Sequence, residues 1–300
     1  GKGIQDSQLI TIDGKVMAVA FMANAQHLYI RTDVLKQHGI STPKTYEEVV
    51  AAAEKIRAAG KMKYPYAAAY KAGWNLAEEF VNMYIGHGGE FFKSGTATPS
   101  INNAKGVATL NMLKKLADLS NPDFLTHDSE AIKVEWEAGN VAIMTLWASR
   151  AGTLLDAEGD AKITAATKLI APATVGGGNI PATTLWWDGF TLAKNRSDAD
   201  AEASFRAMAH AASSKEMVAK AADQAVWLIE GFVPGPKSVG VIKAVEMGAK
   251  PYPMLPQMGL MHGALGNEIV EFLQGNETAE QALKDVEAAY MTKAKEQGFL

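Results

Sequence analysis

An α/β fold is expected from two observations. Segments of helical and of strand periodicity alternate along almost the whole chain, and each change of period is marked by glycine, proline or an N-cap residue. The 300 residues allow roughly two domains. With 48% hydrophobic and 21% charged residues, there is enough apolar material for a large core and too much for extended disorder.

Taken in order, KVMAVAFMANAQHLYI (15–30) reads as two short β runs with a turn around Asn24. A short helix ending at Gly39 follows. Pro43 then separates it from a helix capped by Thr45, with Glu48 three residues on and apolar Val49, Val50, Ala53 and Ile56 at helical spacing. YPYAAAY (64–70) is a short strand. WNLAEEFVNMYIGHGG (74–89) and NNAKGVATLNMLKKLADLS (102–120) are amphipathic helices. In SEAIKVEWEAGNVAIMTLW (129–147) a helix closes at Gly139 and an apolar strand follows. Residues 161–195 give a strand, a connection through Gly176, Gly177 and Gly178, and the run TTLWWDGFTL. A helix pair spans 198–224, GFVPGPK (231–237) is a punctuated crossing, and 263–297 is helical with a break at Gly275-Asn276 and a cap at Thr278. No repeat of fixed period is visible.

Composition excludes several functions. A net charge of −4 without any basic run disfavours nucleic acid as a partner. The absence of cysteine removes disulfides, thiol nucleophiles and thiolate metal sites. The sequence holds no phosphate loop, nucleophile elbow or HExxH pair, and its six histidines are scattered without ligand spacing, so no cofactor and no metal are expected. Glu78-Glu79 is an adjacent acid pair whose side chains diverge by about 100° on a helix, which reads as a solvated face. The opening GKGIQDSQLI has neither an initiator Met nor a signal pattern, so any targeting segment is expected to have been removed or not included.

TTLWWDGFTL (183–192) is the unusual stretch. Successive strand side chains point to opposite faces, so Trp186 and Trp187 cannot both enter one core.

The order of segments resembles the bacterial extracellular solute-binding proteins of the maltose-binding-protein type. GKVMAVAFMANAQHLYIRTDVLKQHGISTPKTYEEVVAAAEKI resembles the family's first interlobe crossing, and EWEAGNVAIMTLW its helix-Gly-strand segment before a binding-site aromatic. PYPMLPQM resembles its Pro-x-x-Pro-Gln-Met turn, and GNETAEQALKDVEAAYM its closing helix. The resemblance implies a type II periplasmic binding protein fold: two α/β lobes, hinge crossings and a ligand cleft between them. Lobe I would comprise 1–22 and 189–235, and lobe II 27–185 and 238–300, with hinges at 23–26, 185–190 and 234–237. Family members carry a long segment before the first crossing, and only its last strand is recognisable here, so the first lobe is expected to be incomplete.

The same resemblance implies an extracytoplasmic receptor, periplasmic or lipid-anchored, that captures a sugar, oligosaccharide or polyol for the membrane permease of an ABC importer and acts as a monomer. Sugar sites pair aromatic platforms with polar side chains. The candidates are Asn24, as a ligand contact or a turn residue; Trp74 and Asn75 at the start of a helix; Trp147 and Arg150 after the apolar strand; Trp187 and Asp188 on the second crossing; and His262 at the rim or as a helix surface residue. Of the adjacent tryptophans, Trp187 is favoured to face the ligand, while Trp136 and Trp227 read as core and Glu230 as a weaker site residue. Two alternatives remain open at this level: a sugar-modifying enzyme using Asp188 and Glu230, and a binding protein for a non-sugar solute, with Arg150 pointing to an acidic sugar.

Overall fold

A computed structural model describes residues 8–156, 159–213 and 215–300. Residues 1–7 of the expected first lobe lie outside the described residues. The strands are β1 (Leu9–Ile12), β2 (Lys15–Asn24), β3 (Gln26–Arg31), β4 (Tyr66–Ala67), β5 (Ile143–Trp147), β6 (Thr167–Ile170), β7 (Thr184–Phe190), β8 (Val226–Trp227) and β9 (Lys250–Pro251). They form two sheets, β1-β2-β7-β9 with β8 beside β2, and β4-β5-β3-β6. Helices separate the strands of the second sheet, as the alternating pattern predicts.

Every residue of β3 is buried, because helices and loops cover both faces of the second sheet. Alternation sorts its side chains: Leu28 and Ile30 enter the larger core with Val49, Phe80, Leu113, Leu265 and Val286. Tyr29 enters a smaller core with Trp136, Met144 and Leu146. Trp136 is thus a core residue, its indole N–H donating to the Thr167 hydroxyl at 3.0 Å. The first sheet is less well covered. Ile12, Val16, Met17 and Phe205 are each about half exposed, and a groove of about 500 Å³ runs between β2, the end of β7 and the Asp198–Ser213 helix.

Local signals hold where they are chemical. Thr45 accepts from the Glu48 amide at 3.1 Å, and the Glu48 carboxylate reaches back to the Lys44 amide at 2.6 Å. Three expectations fail. The chain does not turn at Asn24; β2 and β3 are separated only by Ala25, and the strand runs from one sheet into the other. Residues 161–166 are a short helix capped by Asp160 ahead of β6, not part of a strand. Glu78 and Glu79 are buried, not solvated, because the Trp74–Gly86 helix is covered all round from Leu76 onward.

That helix is placed by backbone contact. Gly73, at φ +97°, donates its amide to the Gly266 carbonyl at 2.9 Å, and a Cβ added to Gly266 would strike the Gly73 carbonyl. Gly266→Ala should therefore cost about 1–3 kcal/mol by overpacking, seen as a lowered midpoint in denaturant, with altered Trp74 emission because residue 74 opens the displaced turn.

Candidate ligand-binding site

The continuous strand through residues 24–26 assembles the site. In the first sheet Asn24 pairs with Trp186 of β7, and in the second Gln26 pairs with Trp147 of β5. Two tryptophans that are far apart in sequence are thereby set across the junction, their rings 6.1 Å apart at 83°. Trp74, at the N-terminus of its helix, joins them at 6.4 Å from Trp147 and 5.7 Å from Trp186. Tyr252, just after β9, lies 4.4 Å from Trp186.

His262 supports this cluster from below. Its ring is 4.9 Å from Trp74, its Nε2 lies 2.9 Å from the Trp74 carbonyl and its Nδ1 2.9 Å from the Tyr252 hydroxyl. A carbonyl can only accept, so Nε2 carries the proton and Nδ1 receives the Tyr252 O–H. Burial lowers the His262 pKa, which keeps the ring in this neutral form. Trp74 remains 51% exposed, a large apolar ring held at the surface.

Beneath Trp186 lies a buried polar layer. The Trp186 Nε1–H points to Glu78 Oε1 at 3.1 Å and to Thr184 Oγ1 at 2.8 Å. Thr184 Oγ1 is also 2.8 Å from Glu78 Oε1 and 2.7 Å from Asn82 Oδ1. Burial pushes Glu78 and its neighbour Glu79 each up to about 8, in Glu78 against the opposing pull of hydrogen bonds from Thr184, Trp186 and Asn82.

A family model, the bacterial extracellular solute-binding protein, matches residues 3–225. The chain belongs to that family. Its members bind solutes and are not enzymes, so the sugar-modifying reading is set aside. A probable ABC transporter-binding protein of Deinococcus radiodurans is 30% identical over 143 residues, which are 46% of this chain and 34% of that protein. An ABC transporter extracellular-binding protein of Pyrococcus horikoshii is 30% identical over 89 residues, 29% of this chain and 21% of that one. The matched stretches thus span about a third or less of these curated relatives. Among solved structures, a maltose-bound T. maritima MalE3 superposes with a TM-score of 0.82 at 20% identity, covering 96% of this chain and 76% of the other. An Agrobacterium radiobacter solute-binding protein in complex with ribitol gives 0.81 at 21%, covering 95% and 73%. One from Agrobacterium vitis with bound D-mannitol gives 0.78 at 18%, covering 99% and 79%. At these identities the likeness establishes the fold, that of the periplasmic binding proteins.

In this solute-binding protein the sequence-based candidates divide. Trp74, Trp147 and His262 come together, and Asn75, half-buried, follows Trp74 in the same helix. Asn24 ties the junction: its Oδ1 accepts from the Ser149 amide and its Nδ2 donates to the Ser149 hydroxyl, each at 3.2 Å. Arg150 is paired with Glu130. Trp187 stands on the other face of β7 from Trp186 and leans over Gly189, so Trp186, not Trp187, is the ring that joins the cluster. Asp188 shares the Trp186 face, opposite Met22, and is exposed, its pKa raised by partial desolvation. Trp227 packs beside Phe21 and donates its N–H to the Ala221 carbonyl at 2.8 Å. Glu230 is exposed in the turn that follows β8.

The sequence leans to Trp187 over Trp186 and reads Glu78 as solvated, and it does not single out Tyr252 or Thr184. The period of two along β7 was the available signal, since it groups Thr184, Trp186 and Asp188. Among the described residues no cluster of three or more metal-ligating side chains occurs, and no helix is long and apolar enough to cross a membrane.

Glu79 is protonated in the fold at pH values where the unfolded chain ionises it. The fold therefore loses stability as pH rises from about 5 to about 8, and no further above that. Glu79→Gln cannot ionise, so its thermal midpoint relative to the parent should climb across that window and then level off.

Proposed function

We propose that this protein is an extracytoplasmic receptor that captures a sugar or polyol at the Trp74, Trp147, Trp186 and Tyr252 cluster and delivers it to an ABC importer. The observation that carries this reading is the cluster itself. Four rings converge at the junction of the two sheets, with the exposed face of Trp74 at its edge. Flat apolar rings match the C–H faces of carbohydrates, while hydroxyls need polar groups at the rim, a role that suits Asn75 and Asp188. Neighbours of like fold that bind maltose, ribitol and D-mannitol support the ligand class.

A neutral ligand is favoured over an acidic one because the Arg150 guanidinium is already paired with Glu130. In this reading the first sheet, apart from its edge strand β9 in the 238–300 segment, belongs to lobe I (1–22 and 189–235) and the second to lobe II (27–185 and 238–300), with hinge segments near 23–26, 185–190 and 234–237. β7 joins the first sheet from Thr184 onward, so the second crossing is drawn slightly earlier, at 181–183. The protein works outside the cytoplasm, in the periplasm or tethered to the membrane by lipid, as a monomer that meets its permease.

A thermal-shift screen of the full-length protein against a sugar and polyol panel that includes maltose, ribitol and D-mannitol tests the ligand class. A ligand at a hundred times its dissociation constant adds about 2.7 kcal/mol of stability, and a flat response across the panel would refute the carbohydrate reading. Trp74→Ala and Trp186→Ala should each weaken binding by on the order of tenfold, a stacking contribution of about 1.4 kcal/mol, whereas Trp187→Ala should bind as the parent does.

A further inference from the structure

We propose that Glu78 is a positioning residue for the ring cluster, and that its ionisation moves the Trp186 indole and weakens ligand binding. The proposal rests on the reading of the cluster as the ligand site, and it begins from a count of protons. Two short oxygen–oxygen contacts meet at Thr184 Oγ1, one to Glu78 Oε1 at 2.8 Å and one to Asn82 Oδ1 at 2.7 Å. Each requires a hydrogen between its oxygens, and the threonine supplies only one. Turning the Asn82 amide alone would set its oxygen against Gln26 Oε1, which its Nδ2 now reaches at 3.3 Å. With Asn82 and Gln26 oriented as they are, the second proton comes from Glu78. The neutral acid donates through Oε1 to Thr184, Thr184 donates to Asn82, and the Trp186 N–H is received by Thr184 Oγ1 at 2.8 Å.

Ionisation breaks this arrangement. A carboxylate accepts only, so the Thr184 proton turns to Glu78 and the Asn82 contact loses its hydrogen. The Trp186 N–H is then drawn to the charged Oε1 by a stronger, charge-assisted bond. The indole turns with it, and its spacing to Trp74, Trp147 and Tyr252 changes.

The surroundings leave Glu78 free to respond. Its side chain is fully buried, Oε2 has no hydrogen-bond partner, and no cation pairs with it among the described residues. On its own helix it faces Glu79, which is likewise buried. His262 of the Met258–Glu268 helix is held neutral by burial, and His27 of β3 is lowered to about 4. Tyr252 is raised by burial and by Glu78 itself, and Asp188 of β7 is exposed, its pKa raised by desolvation. Lys250 of β9 is exposed beside Thr184, and Lys105 of the Ala104–Ala117 helix is engaged with the Gly88 carbonyl at 2.6 Å. Burial places the Glu78 transition, like that of Glu79, near pH 8.

The test has two arms. In the first, tryptophan emission of the ligand-free protein is followed from pH 6.5 to about 9.5. A step near pH 8 is expected in the parent and in Glu79→Gln but not in Glu78→Gln; a step that persists in Glu78→Gln overturns the proposal. In the second arm, affinity for the tightest binder among maltose, ribitol and D-mannitol is measured across the same range. The parent should weaken by on the order of fivefold above pH 8, Glu78→Gln should keep the tight value throughout, and Glu78→Leu should bind weakly at every pH. A flat parent profile, with binding still lost in Trp74→Ala, overturns the role of Glu78 while the ring-cluster site stands. Undiminished binding in Trp74→Ala overturns the site itself, whatever the emission arm reports.

Discussion

The structure depends on one uninterrupted strand passing between two sheets. Ala25, its midpoint, is fully buried, and its carbonyl accepts the Ala148 amide at 2.9 Å, so hydrogen bonding continues across the gap between β2 and β3. A strand repeats its facing every second residue, and Asn24 and Gln26 therefore present the same side of the chain to different sheets. Their partners, Trp186 and Trp147, inherit that relation and meet. A turn at this point would separate them. The Asn24 side chain, bound to Ser149 on both its oxygen and its nitrogen, adds a side-chain tie across the junction.

The cluster built there is held by polar groups that are costly to bury. A carboxyl in an apolar helix interface is tolerated when it is neutral and hydrogen-bonded. Glu78 meets both conditions through Thr184 and the Trp186 indole, and Glu79 is held neutral by the same burial. His262 follows the same logic with the opposite charge sign, its two nitrogens fully used by Trp74 and Tyr252. Each ring of the cluster that carries an N–H or O–H toward the interior therefore has a defined partner, which fixes ring orientation more tightly than dispersion alone.

Much of this was legible in the sequence, and the division follows the range of the interactions. The Thr45–Glu48 capping pair, the burial of Trp136 and the nearness of Trp74, Trp147 and His262 follow from local chemistry or from the order of family segments. The burial of Glu78 and Glu79 does not, because it is imposed by tertiary packing on the Trp74–Gly86 helix: Glu78 meets Thr184 and Trp186 of β7, and Glu79 lies among Gln26, Tyr46, Tyr66 and Tyr70. Adjacency to Asp188 favours Trp187 in the sequence, but adjacency in a strand means opposite faces. The strand period pairs Asp188 with Trp186. Tyr252 was hidden for a different reason: a two-residue strand, β9, carries it to the cluster, and nothing in PYPMLPQM marks so short a pairing.

If the two sheets belong to two lobes as proposed, the placement of the rings bears on how the lobes would close. Trp74, Trp147 and His262 are anchored in or against the second sheet, whereas Trp186 belongs to a strand of the first and Tyr252 follows that sheet's edge strand, its amide donating to the Leu185 carbonyl at 3.2 Å. Trp186 lies only two residues beyond Thr184, where that strand leaves the junction. When two bodies rotate about a hinge, displacement grows with distance from the axis, so a ring beside the axis moves least. Asp188, two residues further out, sweeps through a longer arc. The aromatic platform would then be preformed in open and closed states alike, and the ordering cost of assembling it would not be charged against each binding event. Closure would instead bring the outlying polar groups of the first sheet onto a ligand already seated on the rings, separating the contacts that capture it from those that register its hydroxyls.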